Sequence, residues 1–327
     1  MEENTPPEMH NEHPIFAIQF VVCCAALAVV GMHTFLLTRL CLFHKHMNMI
    51  ILNFNASLLL GILYLLLRSL VGMTQVYQGS MDQNLEIVSL ETNECQFRNI
   101  IPEPIAFVIL MFPIILTMER RFATTHFRNY ETYDCAEAFE IGFMVMWCPN
   151  VFYLIYQLTM FRYPVSLTNC QFSILQLGFF RRNIVYILMT GVTCFFIVLF
   201  KFVEAENREQ EPTTRGGDSN LSCRYQLREN MKTSRLMVYI CLILVIFMTI
   251  FFYFDHSLTW NGKEKIGIEE TVWREHLFLV FPLFCLSYSL FFSYYYSTLL
   301  NRAKREFFQF ITHFTQRNSF HYAKVNE

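Results

Sequence analysis

The chain has 327 residues, of which 54% are hydrophobic and 16% charged, where soluble domains carry about 25% charged residues. Its apolar residues run in long blocks, each near the roughly 20 residues that span a bilayer core, so a soluble core built on alternating patterns is excluded. The formal net charge of −2 gives no basic excess, and no nucleic-acid partner is expected. The eleven cysteines contain no CxxC pair or metal-ligand rhythm, which argues against a zinc module.

Residues 1–13 are acidic, with Glu2, Glu3 and Glu8 and no Lys or Arg. No basic region precedes the first apolar block, which is too long for a cleaved signal, so a retained first span is expected. Span 1 covers about 15–37 and span 2 about 49–67, with Asn53 and Asn55 as buried polar groups that bond to neighbouring helices. An acidic loop, 72–99, ends just past Cys95. Span 3 covers about 100–118; Pro102 and Pro104 suit its start, and Pro113 sits in its interior. Glu103 lies near the outer end, either as a rim carboxylate facing water or as a ligand contact.

Span 3 breaks abruptly into Glu119-Arg120-Arg121, where a hydrophobic segment leaves the membrane and meets an acid–base cluster. Span 4 is expected at about 141–161, and the loop after it carries Cys170. Span 5 is placed at 183–200. Its start follows from Arg181-Arg182, since each arginine at mid-bilayer costs about 2.5–3.5 kcal/mol. A long loop, 201–235, ends in good helix formers that extend span 6, about 236–254, into water. Span 7 covers about 277–300.

The tail, 301–327, opens on Arg302-Ala303-Lys304-Arg305 and then places Phe307, Phe310, Ile311 and Phe314 on one helical face. A short amphipathic helix on an anionic membrane surface is expected there, with a frayed tail as the alternative. The expected fold is therefore all-α: a polytopic seven-transmembrane helix bundle over 14–300, between an outer segment 1–13 and a cytosolic tail.

Basic residues orient the bundle. With the N-terminus outside, the cytosolic segments 38–47, 119–138, 201–235 and 301–327 hold 2, 3, 7 and 5 Lys or Arg; the outer segments 1–13, 72–99, 161–182 and 255–275 hold 0, 1, 3 and 3. This bias places the N-terminus outside and the tail in the cytosol. Cys95 and Cys170 then both lie outside, where disulfides persist; a bridge would tie the loop after span 4 over the bundle mouth, and two free thiols are the alternative.

No HExxH, Walker loop or serine-nucleophile elbow occurs, and ionisable residues are scarce within the spans, so neither an enzyme nor an ion-coupled transporter is expected. No cofactor is expected either. What remains is a bundle able to hold a small molecule and change shape.

Two motifs carry a resemblance. The first is Met118-Glu119-Arg120-Arg121-Phe122-Ala123-Thr124 with Asn129-Tyr130-Glu131. The second is Leu221-Ser222-Cys223-Arg224-Tyr225-Gln226-Leu227-Arg228-Glu229-Asn230. In these loops of a seven-span layout, they resemble the nematode serpentine chemosensory receptors of classes a, ab, b and e, with class e the expected class.

The resemblance implies a G-protein-coupled receptor of the plasma membrane of sensory neurons, at their cilia. It implies a small-molecule ligand outside and a heterotrimeric G protein inside. The coupling residues would be Glu119, Arg120, Arg121, Arg224, Tyr225, Gln226, Arg228, Glu229 and Asn230. Span 3 ends in Glu-Arg-Arg, not the rhodopsin-like Asp-Arg-Tyr; span 6 lacks proline and span 7 lacks Asn-Pro-x-x-Tyr.

In the expected mechanism Glu119 holds Arg120 at rest, and a shift of spans 3 and 6 frees it, with the basic residues Arg224, Arg228, Lys232 and Arg235 lining the cleft. The plainer alternative makes Glu119-Arg120-Arg121 a solvated, lipid-facing anchor. The competing whole-chain reading is a seven-span ligand-gated cation channel, which calls for a cytosolic N-terminus and so runs against the charge bias. A seven-span scaffold for lipid handling or trafficking is the third.

Overall fold

The computed structural model describes residues 13–40, 43–81, 102–126, 130, 179–213, 221–261, 276–296 and 301, with scattered positions between 142 and 155. These residues form six helices, here α1 (His13–Leu40), α2 (Lys45–Met81), α3 (Pro102–Thr125), α4 (Phe179–Thr213), α5 (Leu221–Asn261) and α6 (Val280–Tyr295). No strand occurs among the described residues. Long apolar blocks fold this way because a helix satisfies its own backbone hydrogen bonds where no water can.

Among the described residues, four stretches are long and apolar enough to cross a membrane: Pro14–Arg39, Lys45–Thr74, Tyr186–Gln210 and Gln226–Phe254. The fold is a membrane helical bundle. α2 has 37 residues and α5 has 41, or about 55 and 60 Å at 1.5 Å per residue. Both exceed the hydrocarbon core of about 30 Å, so they project beyond it.

The two surfaces of each helix divide by solvent. Leu58, Ile62, Leu116, Phe200 and Phe292 are fully buried between helices. Val21, Ile187, Val198, Ile246 and Leu290 point outward with more than half their surface exposed. So much outward apolar surface would drive aggregation in water; against lipid tails it is the ordinary outer face.

α1 packs on α2 and α6; α3 packs on α2, α4 and α5; α4 and α5 pair along their lengths; α6 also contacts α5. Phe54 of α2 stacks on Phe112 of α3 with ring centroids 3.9 Å apart. Polar links cross the same interior: Tyr288 of α6 donates to Asn55 Oδ1 (3.1 Å) and Trp147 Nε1 donates to Asn53 Oδ1 (3.1 Å). Asn53 and Asn55 of α2 thus both bond to other segments. His33 of α1 is buried against Phe292 and Tyr288.

Two glycines let α2 sit close. A Cβ at Gly61 would meet the Phe281 ring at 2.7 Å, and one at Gly72 would meet Phe16 at 2.6 Å. Pro113 lies inside α3, and Thr117 Oγ1 donates to its carbonyl at 2.7 Å. An apolar void of about 10 Å³ lies beside it, lined in part by Phe54, Phe112, Leu116, Phe200, Met237 and Phe284. Ligand pockets are some 300 Å³ or more, so this void is a packing gap.

The helix holding span 5 starts earlier than expected. α4 begins at Phe179 and runs through Arg181-Arg182. The desolvation argument limits the membrane span, not the helix. Arg181 and Arg182 stand in the first turn of α4, just before its long apolar run. The 301–327 tail beyond Asn301, and Cys95 and Cys170, lie outside the described residues, as does the side chain of Glu103.

Candidate functional site

The last turns of α3 carry the site. Glu119 and Arg120 are adjacent in sequence, and both are buried, at 0% and 1% exposure. Neighbouring helical positions do not normally face each other. Here the long arginine bends round so that its guanidinium takes the carboxylate as a fork: Nε donates to Oε2 and Nη2 to Oε1 (2.6 Å). The other face of the guanidinium reaches α5. Arg120 Nη1 donates to Asn230 Oδ1 (2.9 Å) and to Thr233 Oγ1 (2.8 Å). Four of its five N–H donors are thus used.

Glu119 has a third donor. Tyr130 donates its hydroxyl to Glu119 Oε1. Its ring is 4% exposed and lies on His44 (centroids 4.3 Å). Burial, then the adjacent Glu119 carboxylate, push the Tyr130 phenol well above its usual range, so it stays a neutral donor. Glu229 of α5 adds negative potential at Arg120.

A buried ion pair costs several kcal/mol of desolvation per ion unless its hydrogen bonds are complete. This one is nearly complete only while α5 supplies Asn230 and Thr233. The solvated-anchor alternative therefore fails for Glu119 and Arg120. It suits Arg121, which is exposed and pairs at the surface with Glu206 of α4.

The same end of the bundle is tied further. Asn207 of α4 donates to Thr124 Oγ1 (2.8 Å), and that hydroxyl donates to the Arg120 carbonyl (2.8 Å). Glu204 of α4 accepts from Arg235 of α5 (2.8 Å), and from Lys201 (3.0 Å) and Arg208 (3.1 Å) of its own helix. Tyr295 of α6 donates to the Lys232 carbonyl (3.2 Å), and Lys232 Nζ lies 4.4 Å from the Tyr296 ring centre.

Of the residues expected here, Glu119, Arg120 and Asn230 come together. Gln226 is buried, Arg224 and Glu229 are half-buried and Arg228 is exposed on α5; the side chain of Tyr225 lies outside the described residues. Arg235, expected to line a cleft, turns to Glu204. Thr233 and Tyr130 were not expected among the site residues, although each carried a signal. Thr233 follows Asn230 by one helical turn, and Tyr130 belongs to the first quoted motif. Among the described residues no group of three or more His, Cys, Asp or Glu is placed to hold a metal ion.

The family described as serpentine type 7TM GPCR receptor class ab chemoreceptor matches residues 13–324. The chain belongs to that family. Class e, the expected class, is not the one that matches. No curated protein matches the chain. The protein is thus a serpentine, GPCR-like chemoreceptor and a multi-pass membrane protein, and its buried pair sits where α3, α4 and α5 converge.

Proposed function

We propose that this chemoreceptor binds a small molecule from outside the cell and signals through a cytosolic heterotrimeric G protein. The N-terminus is extracellular and the tail cytosolic, which puts Arg120 on the G-protein side and Glu103 near the outer mouth. Cys95 and Cys170 then share the oxidising side, and a bridge between them would hold the loop after span 4 over that mouth.

One observation carries the reading: a fully buried arginine at the end of α3 is satisfied by two side chains of α5. Such a bond set exists in one arrangement of the two helices. Moving the end of α5 outward removes both acceptors and opens the space that Arg120 closes. Ligand shifts the population only by binding the open form more tightly. Arg121, Arg224, Tyr225, Gln226, Arg228 and Glu229 line the opened face.

The test needs no ligand. Purified receptor is reconstituted with a panel of heterotrimers, and basal nucleotide exchange is measured. Weakening the α3–α5 bonds is expected to raise it. Variants that stay folded yet leave exchange at the wild-type level on every heterotrimer would contradict the proposal.

A further inference from the structure

α4 and α5 carry a second charged cluster on their outward side. The apolar run of α4 ends at Phe200. Lys201 follows, and Lys201 and Arg208 continue the face of Val198, three and ten residues on. Val198 is 64% exposed, and Phe202 beside it is 59% exposed; both face the bilayer. On α5, Arg235 stands one, two and three turns from the exposed Tyr239, Leu242 and Ile246. The three cations therefore stand where two lipid-facing stripes meet the polar boundary.

Their charge is not balanced. Glu204 alone faces all three, and it is buried beneath them at 4% exposure. Lys201, Arg208 and Arg235 keep 56%, 66% and 45% of their side chains exposed. Glu206 is engaged by Arg121, and Glu209 lies about 140° round the helix from Glu204. Arg208 spends one N–H on Glu204, Arg235 two and Lys201 one. The other donors have no partner among the described residues. Two guanidinium forks and an ammonium with surplus positive charge match the geometry and charge of a phosphate.

We propose that Lys201, Arg208 and Arg235, held by Glu204, bind the phosphorylated headgroup of an anionic inner-leaflet phospholipid, with its tails lying along Val198, Phe202, Tyr239 and Leu242. Because Glu204 joins α4 to α5 through Arg235, the headgroup sits on the tie between these helices. The choice of leaflet rests on the orientation proposed above; the site itself does not.

The test is lipid retention. The full chain is placed in nanodiscs of phosphatidylcholine containing a minor share of phosphatidylinositol bisphosphate or of phosphatidylserine, and bound lipid is measured by native mass spectrometry. Both leaflets carry the lipid, so the outcome is independent of orientation and of G-protein coupling.

Wild type is expected to retain the phosphoinositide over phosphatidylserine and phosphatidylcholine. Each cation removed is expected to weaken retention about fivefold, so Lys201→Gln with Arg208→Gln weakens it about twenty-five-fold. That variant leaves the Glu204–Arg235 pair intact, and its thermal stability in phosphatidylcholine alone verifies the fold. Undiminished retention by the folded double variant would overturn the site. So would binding of the soluble inositol phosphate headgroup as tight as that of the lipid, which would mark an aqueous anion site.

Discussion

Removing the α5 side of the Arg120 bond set should convert the resting receptor into a partly active one. The perturbation is Asn230→Ala with Thr233→Val. Asn230 Nδ2 has no partner among the described residues, and valine keeps the shape of threonine, so the main loss is the pair of acceptors at 2.9 and 2.8 Å from Arg120 Nη1. Hydrogen bonds to a charged group contribute about 1.5–3 kcal/mol each. The lower figure makes the pair worth about 3 kcal/mol to the closed state, or roughly 150-fold in the equilibrium. A receptor active about 0.1% of the time would then be active about a tenth of the time. The assay is basal nucleotide exchange on reconstituted heterotrimers, normalised to folded receptor. Exchange unchanged in a folded variant, on a heterotrimer that wild type engages, would mean that these bonds are equal in both states and do not gate anything.

Tyr130→Phe removes one donor from Glu119 while the Arg120 fork remains. It should lower the thermal midpoint in detergent by the equivalent of about 1.5–3 kcal/mol, and an unchanged midpoint would place the phenol outside the network. Gly61→Ala drives a methyl to 2.7 Å from Phe281 and should cost about 1–3 kcal/mol by overpacking. Gly31→Ala meets nothing within 4 Å and should be neutral or stabilise by about 0.5–1 kcal/mol; the two melts side by side test the α2–α6 packing. Trp147→Phe removes the bond to Asn53 and should cost about 1 kcal/mol, read from the same melt.

Much of the fold was legible because membranes impose few solutions. Apolar blocks of fixed length must be helices. The Glu119-Arg120 junction was legible because charges abutting an apolar span are costly to place and so few. Their partners were less so. That Thr233 joins Asn230, and that Arg235 turns to Glu204, depends on how α3, α4 and α5 are rotated about their axes. Periodicity within one helix does not record that rotation relative to its neighbours. α4 itself begins ahead of the 183–200 placed for span 5, because the arginine penalty acts at mid-bilayer and does not stop a helix whose first turn holds Arg181 and Arg182. Class ab rather than class e was not decided by two short motifs, whereas the family match rests on residues 13–324.

The central claim is that α3 and α5 part at this end when the G protein is engaged. The direct measurement places spin labels at the exposed positions Thr125 and Arg228 and follows their separation, with and without GDP-stripped heterotrimer. The account predicts a distribution that moves to longer distance on engagement, and that is already partly shifted in Asn230→Ala with Thr233→Val. A single unmoved distribution in wild type, with heterotrimer bound, would contradict it.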